Sequence, residues 1–161
     1  MRSRMRGRSV MRVSWAAGVL LLTLAAAFAA GGLPPGVPDP CTLVTAAELQ
    51  TIVGGLKGAP KAGDAGSGDI SCEYASVSGP RWISIRLHDG DLAAWKRRNG
   101  GASPVALPDL GKDAFANADA EGSADVYAMK GKLVLRVSMP KGPQAVEIDK
   151  AIAKKALARL P

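Results

Sequence analysis

The cysteines at positions 41 and 72 constrain what this chain can fold into more than any other feature. In a small exported domain two cysteines most simply form one disulfide, and Cys41–Cys72 would tie the start of the first predicted helix to the first predicted strand. A closed loop of roughly 30 residues gives about 3.5–4 kcal/mol of stabilisation in the chain-entropy model. A lipid-modified Cys41 and a reactive thiol are the alternatives. Pro38-Asp39-Pro40 stand where a lipid attachment site needs small or apolar residues.

Residues 1–29 have the composition of a secretory signal peptide. Five arginines precede or begin an apolar run from Val13 to Ala30, and Ala27-Phe28-Ala29 fits the A-x-A pattern of signal peptidase sites. We predict cleavage after Ala29, so that the chain meets the membrane only transiently and the mature protein is secreted or held in the cell envelope. The run is also just long enough for an uncleaved membrane anchor, which is the alternative.

Most of the basic charge belongs to this leader. The whole chain has 21 Lys+Arg against 14 Asp+Glu, a net charge of +7. Without the five leader arginines the counts are 16 and 14, which leaves a net charge of +2. Because nucleic-acid-binding domains carry a strong basic excess, we exclude nucleic acid as a partner.

The remaining chain divides into a tether and one domain. Residues 30–40 are rich in glycine and proline, and residues 41–161 are enough for a single domain with a core. Thr45-x-x-Glu48 is a capping box that predicts a helix from Ala46 to about Val53. Residues 57–68 show no hydrophobic periodicity and indicate a mobile loop.

Alternating and helical patterns predict the elements that follow. They are strands over 70–75, 81–88 and 112–117, a hairpin over 124–139, a short helix from Leu92 to Arg98 capped by Asp89 or Asp91, and a last helix from Ala145 to Leu160. The order helix–strands–helix–strands–helix predicts an α+β fold with one disulfide. In this fold a small antiparallel sheet packs against helices on one side.

The opening motif resembles that of a known family. Asp39-Pro40-Cys41-Thr42-Leu43-Val44-Thr45-Ala46-Ala47-Glu48-Leu49, then Cys72-Glu73-Tyr74, is similar to the start of a family of small actinobacterial secreted proteins and lipoproteins that is described only as a domain of unknown function. Leu110-Gly111-Lys112-Asp113-Ala114-Phe115 is similar to its Leu-Gly-Asp-x-Ala-Phe/Tyr box, with one inserted lysine. The resemblance covers about residues 39–160 and implies an envelope or extracellular location. It implies no catalytic residues, and the lack of a cysteine near Ala29–Leu33 departs from the lipoprotein members.

Residue types that carry catalysis are sparse. His88 is the one histidine of the sequence, and it adjoins Asp89 and Asp91 at a strand end that we expect to be solvated. Metal ligands must converge and these three diverge at a turn, so we predict no metal site and no cofactor. We predict a protein that is not an enzyme. The alternative is a hydrolase that uses carboxylates such as Asp89 and Asp91, or Asp119 and Glu121.

Binding is the better-supported hypothesis. Trp82 and Arg86 share a strand face with His88, and Trp95 follows on the short helix. If helices cover one face of the sheet, the other face presents Trp82 and Arg86 to solvent or a ligand, and Trp95 is the third candidate binding residue. The competing interpretation places Trp95 in the core and Trp82 over a sheet edge. We predict a non-catalytic envelope module that binds an envelope protein or a small apolar ligand, with a purely structural envelope protein as a further alternative.

Overall fold

A single antiparallel sheet, whose strands differ in length, organises the molecule. The molecule is described here from a computed structural model. The structure describes residues 36–66, 69–118, 120 and 122–161. The predicted signal peptide, residues 30–35 of the tether, and Asp119 and Glu121 lie outside the described residues. The helices are α1 (Pro40–Leu43), α2 (Ala46–Val53), α3 (Leu92–Asn99) and α4 (Ala145–Arg159). The strands are β1 (Lys61–Gly66), β2 (Asp69–Tyr74), β3 (Ile83–Asp89), β4 (Val105–Ala106), β5 (Phe115–Asn117), β6 (Ser123–Lys130) and β7 (Leu133–Pro140).

The sheet has its longest strands at the centre. Its seven strands lie in the order β1-β2-β3-β7-β6-β5-β4, and every neighbouring pair is antiparallel. The chain builds one half of the sheet as β1 to β3 and crosses through α3 to the far edge. It then returns through β4 to β7, so that β7 pairs with β3. The predicted α+β class is confirmed.

One face of the sheet, which we call the α4 face, carries the main core. Directly paired residues of antiparallel strands point to the same side, and Ile85 pairs with both Cys72 and Val137. All three are fully buried, in a cluster that also contains Leu49 of α2 and Ile152 of α4. Removing this much apolar surface from water is the dominant stabilising term for a domain of this size.

The sequence predicted helices on one side of the sheet, but the structure has helices on both sides. Leu92 and Trp95 of α3 pack with Phe115, Tyr127 and Val134, whose strand register places them on the opposite side of the sheet from Ile85. We call this side the α3 face. The periodicity of a helix of eight residues shows which of its sides is apolar, but not which face of a sheet it will cover.

The segment expected to be a mobile loop contains an edge strand. β1 pairs with β2 from Lys61↔Glu73 to Asp64↔Ile70. The described side chains of β1 are exposed, so the strand has no buried face to impose alternation on its sequence. Backbone hydrogen bonds to β2, rather than side-chain packing, hold it in place, and a hydrophobic pattern therefore cannot reveal it.

The predicted disulfide and capping box are confirmed. Cys41 and Cys72 form a disulfide with a Cα–Cα distance of 5.0 Å. The Glu48 amide donates to the Thr45 hydroxyl at 3.2 Å, and the Thr45 amide donates to the Glu48 carboxylate at 3.0 Å. Just before this capping box, Asp39 caps the additional short helix α1 through the Cys41 amide.

The hairpin and the last helix are confirmed as well. β6 and β7 pair from Lys130↔Leu133 to Ser123↔Pro140. Gly131 makes the turn with a φ of 61°, a left-handed conformation that glycine adopts without strain. α4 lies on the α4 face against β6 and β7. No helix within the described part of the chain is both long and apolar enough to cross a bilayer.

Candidate functional site

A polar network lies on the α3 face where β6 and β7 pair. Asp125 of β6 is 2% exposed, yet it is an acid in the middle of a sheet. Its carboxylate accepts hydrogen bonds from the Ser138 hydroxyl at 2.5 Å and from Nη2 of Arg136 at 3.0 and 3.1 Å. The hydroxyls of Ser123 and Tyr127 lie further away, both at 3.4 Å. A buried carboxylate is costly unless it is paired and hydrogen-bonded in this way.

Arg136 is fixed by Asp125 and retains unused donors. Nη2 alone makes both bonds to the carboxylate, and Nη1 makes no hydrogen bond to a described residue. Nε is buried and likewise has no described partner. The guanidinium carbon lies 5.6 Å from the centre of the Tyr127 ring, and about a quarter of the side chain is exposed. The network therefore holds a cation whose outer edge remains available.

A second arginine stands directly opposite the first. Arg86 of β3 pairs with Arg136 across the strands, and like charges in such positions repel. Nε of Arg86 donates to the Ser84 hydroxyl at 3.0 Å, and Nη2 lies 3.7 Å from the half-exposed Glu73 carboxylate. Asp125 therefore compensates Arg136 closely, and Glu73 compensates Arg86 loosely.

A polar cleft of about 540 Å³ opens beside the network. It lies where the end of α3 meets β5, β6 and β7, and Asn117 joins these elements by donating from Nδ2 to the Asn99 carbonyl at 2.7 Å. Its lining includes Arg98, Asn99, Asn117, Ser123, Asp125 and Arg136. Arg98 lies with its guanidinium carbon 5.1 Å from the centre of the Trp95 ring, an arrangement that favours a cation over an aromatic face.

The residues predicted for binding lie along the same face but apart. Trp82 directly precedes β3 and is 38% exposed, whereas Trp95 contacts the far end of that strand, with its ring centroid 4.3 Å from that of His88. Positions 82 and 88 are about 20 Å apart along an extended strand. Arg86 lies between them. Trp95 is half-buried beside the small α3 cluster, so part of its side chain packs against the protein and part is exposed.

The expectation that His88 is solvated is wrong. His88 is 3% exposed, covered by Trp95, and its Nδ1 lies 2.7 Å from Oδ1 of Asp69 in an orientation that misses hydrogen-bond geometry. Burial lowers the pKa of His88, the Asp69 carboxylate opposes that change, and the charges of Arg136 and Arg86 reinforce it. Strand alternation placed His88 on the correct face, but the helix that covers it comes later in the chain.

Asp89 and Asp91, the described acids among those considered for hydrolysis, do not line the cleft. Asp91 caps α3 by accepting from the Ala93 amide at 2.9 Å, and the exposed Asp89 ends β3 opposite Leu133 on the α4 face. Neither residue lines the cleft. Within the described ranges, no three His, Cys, Asp or Glu side chains come together as a metal site would require.

A second unusual carboxyl group lies in the α4 layer. Asp149 is 0% exposed, and neither oxygen has a hydrogen-bond partner among the described residues. Burial, and secondarily the charge of Asp125, raises the pKa of Asp149 to about 9. The side chain is therefore neutral at pH 7 and can act in the core as a small polar group rather than as a charge.

A further concavity is apolar. A groove of about 480 Å³ lies where β7 meets the start of α4, and its lining includes Pro80, Met139, Pro140, Pro143 and Ile148. None of Trp82, Arg86 and Trp95 lines it. The groove is thus separate from the surface that the sequence predicted for binding.

The sequence held a signal for the polar network that periodicity alone did not use. Ser123, Asp125 and Tyr127 alternate on one strand, and Arg136 and Ser138 alternate on the next. A two-residue turn at Gly131-Lys132 fixes the register that sets Asp125 against Ser138 and Tyr127 against Arg136. Turn geometry combined with alternation would have placed the acid beside its partners.

Comparison with known proteins assigns no family. No protein-family model matches the chain, and no curated protein matches it. A crystal structure from Thermotoga maritima, described as a GTP binding regulator, is similar with a TM-score of 0.41 and 16% sequence identity, and the match covers 76% of this chain and 95% of that chain. A similarity this low carries no argument about function. The resemblance of residues 39–160 to the secreted domain family stays a prediction.

Proposed function

We propose that this protein is a non-catalytic binding module of the cell envelope, exported by its leader, that binds its ligand or partner on the α3 face. The polar cleft is the centre of the proposed binding surface. Arg86 and Trp82 extend that surface along β3. The polar lining favours a polar ligand, or the polar side chains of an envelope protein, over the small apolar ligand expected from the tryptophans.

The compartment is supported by covalent chemistry. The Cys41–Cys72 disulfide is typical of proteins that fold in oxidising, extracytoplasmic surroundings. The signal-like residues 1–29 point the same way. Secretion or retention in the envelope is the part of the proposal that depends on the leader.

The observation that carries the binding proposal is the unused edge of Arg136. A sheet that needed only stability would be served as well by apolar residues, because replacing a buried ion pair by packed hydrophobic side chains is often neutral or stabilising. Here the buried carboxylate of Asp125 fixes Arg136, and both residues line the cleft. Preorganised charges of this kind are characteristic of recognition sites.

The alternatives have less support. A hydrolase would need a general base in the cleft; of the described candidates, His88 is covered by Trp95 and Asp125 is bound by Arg136 and Ser138. A hydrolase based on Asp89 and Asp91 would act outside the cleft, with Asp91 already engaged at the start of α3. A purely structural envelope protein would have no ligand on the α3 face.

Native mass spectrometry of the protein exported by its own host, purified without reductant, tests the proposal. We expect a disulfide-closed chain that carries a stoichiometric extra mass or a copurified envelope protein. A Trp82→Ala variant separates the two parts of the surface: retention of the extra mass places binding in the cleft alone. A bare chain with no partner would favour the structural alternative.

A further inference from the structure

Resting on the proposed function, we propose that the cleft on the α3 face binds an oxyanion, a carboxylate or phosphate group of a small polar ligand, between Arg136 and Arg98. The two guanidinium groups come from different layers of the molecule. Arg136 lies on a central strand, and Arg98 lies near the end of α3. Both line the same cleft.

Arg136 meets the requirement for a fixed anion-binding group. Its Nη2 atom is anchored to both oxygens of Asp125, and Asp125 is itself anchored by the Ser138 hydroxyl at 2.5 Å. Since the carboxylate uses only Nη2, the donors of Nη1 remain for a ligand. Guanidinium groups bind carboxylate and phosphate oxygens in planar geometry, and fixing the guanidinium beforehand reduces the entropy lost on binding.

Arg98 supplies the second cation of the cleft. The side chain is exposed and makes no ion pair with a described residue. Its guanidinium lies over the Trp95 ring, which positions it at the rim of the cleft. Arg97, one residue earlier, is equally basic and exposed but does not line the cleft.

The charge balance of the cleft selects the ligand class. Among the residues that the structure describes, the charged ones lining the cleft are Arg98, Arg136 and Asp125, whose formal charges sum to +1. The Asp125 oxygens already accept bonds from Arg136 and Ser138, so they offer little to a cationic ligand. A volume of about 540 Å³ accommodates a small molecule with one such group. A neutral ligand would leave the net positive charge of the described lining uncompensated.

Amide chemical shifts of the mature oxidised protein provide the test, with inorganic phosphate and succinate as separate probes at constant ionic strength. Probe concentrations up to about 50 mM saturate a site whose Kd is millimolar. We expect saturable shifts at the amides of Asn99, Gly101, Asn117 and Ser123. The probe that binds more tightly identifies the oxyanion as phosphate or carboxylate.

Two arginine variants form a matched pair. Arg98→Ala removes a cation from the cleft and should weaken binding about tenfold or more, since hydrogen bonds to charged groups are the strong ones. Arg97→Ala removes the same charge outside the cleft and should change the Kd by less than about twofold, because exposed charges are screened. Arg136→Lys keeps the charge beside Asp125 but loses the planar donors, and it should also weaken binding.

Equal weakening by both alanine variants would show diffuse attraction to α3 and overturn the inference. So would shifts confined to the lysines of α4, or no saturable shift with either probe. If neither probe binds while the exported protein carries a neutral molecule, the oxyanion inference fails and the proposed function stands. If the probes bind in the cleft but the exported protein is bare, the inference stands and the proposed envelope role fails.

Discussion

Asp149 shows how a single residue can set the pH response of the whole fold. Its carboxyl group is enclosed between α4 and the sheet, and its pKa is raised from an ordinary value near 3.8 to about 9. Between these values the folded state holds a proton that the unfolded state releases. Folding stability contributed by this group is therefore lost as the pH rises through that window.

We predict that the Asp149→Asn variant loses this dependence. Between pH 5 and pH 8 the free energy of unfolding of the wild type should fall relative to the variant by up to about 1.4 kcal/mol per pH unit. Urea denaturation across this range measures the difference and cancels contributions of other groups, His88 among them. Glu147→Gln on the same helix is the control, because Glu147 is largely exposed. Parallel curves for the wild type and Asp149→Asn would contradict the prediction.

The burial and neighbours of individual residues were the features that the sequence predicted least well. His88 and Asp149 both occupy positions that their own elements explain, an outward strand position and a helix turn next to Ile148. Their burial comes from partners far away in sequence, α3 and Asp69 for His88 and the sheet for Asp149. Local pattern does not contain this information, because it depends on which layers meet.

At the scale of elements, the first long helix depends on its start signal. The reciprocal hydrogen bonds between Thr45 and Glu48 satisfy backbone donors that the helix itself leaves open. The Arg159 guanidinium also donates to Glu48 and is, with the capping bonds, the reason that the pKa of Glu48 is lowered to about 2. The capping box thus joins the start of α2 to the end of α4.

Loss of the cap should be measurable. We predict that Thr45→Ala destabilises the protein by about 1 kcal/mol, the usual effect of removing an N-cap side chain. Thr51→Ala is the matched control, since Thr51 is an exposed threonine within the same helix and alanine is the better helix former. Chemical denaturation should therefore show a clearly lower free energy of unfolding for Thr45→Ala than for Thr51→Ala. Equal losses would show that the cap contributes nothing specific.

The predictability of elements followed the strength of their pattern. α2 begins at a capping box, α4 has a buried face, and the β6–β7 hairpin has a glycine turn; each was located within a few residues. β1 has none of these, since its described side chains face water. The placement of α3 on the second face could not be predicted, although its residues could, and its cap was narrowed to Asp89 or Asp91, of which Asp91 is the cap.

At the scale of the whole molecule, the disulfide joins the N-terminal helices to the sheet. Cys72 is fully buried and Cys41 packs against the same core. The bond spans a sequence separation of 31 residues. The edge strand β1 lies within that loop.

We predict that opening the bond lowers the free energy of unfolding by about 3.5 kcal/mol, the loop-closure value. Comparing denaturation of the oxidised protein with that of the Cys41→Ser, Cys72→Ser double variant gives the number, and intact mass confirms the oxidised state. A difference below about 1 kcal/mol would contradict the loop-closure account, because it would mean that the bond hardly restricts the unfolded chain. The double variant leaves no single thiol to form mixed disulfides.

The two faces of the sheet have different chemistry, and this difference is the central claim about function. The α4 face is an apolar core closed by three helices. The α3 face combines a small apolar cluster with arginines, a buried acid and a cleft. Strand alternation alone predicts two faces. Only the tertiary structure brings Arg98 of α3 to the cation on β7.

Photo-crosslinking in the host envelope tests this claim most directly. A benzoylphenylalanine is placed at Trp82 or Arg97 on the α3 face, and at Gln50 or Lys154 on the exposed surface of the helices that cover the α4 face. We predict adducts from the first pair, with Arg97, next to the cleft residue Arg98, the stronger position, and none above background from the second. Adducts from Gln50 or Lys154 alone would contradict the account and place the partner on the helical layer.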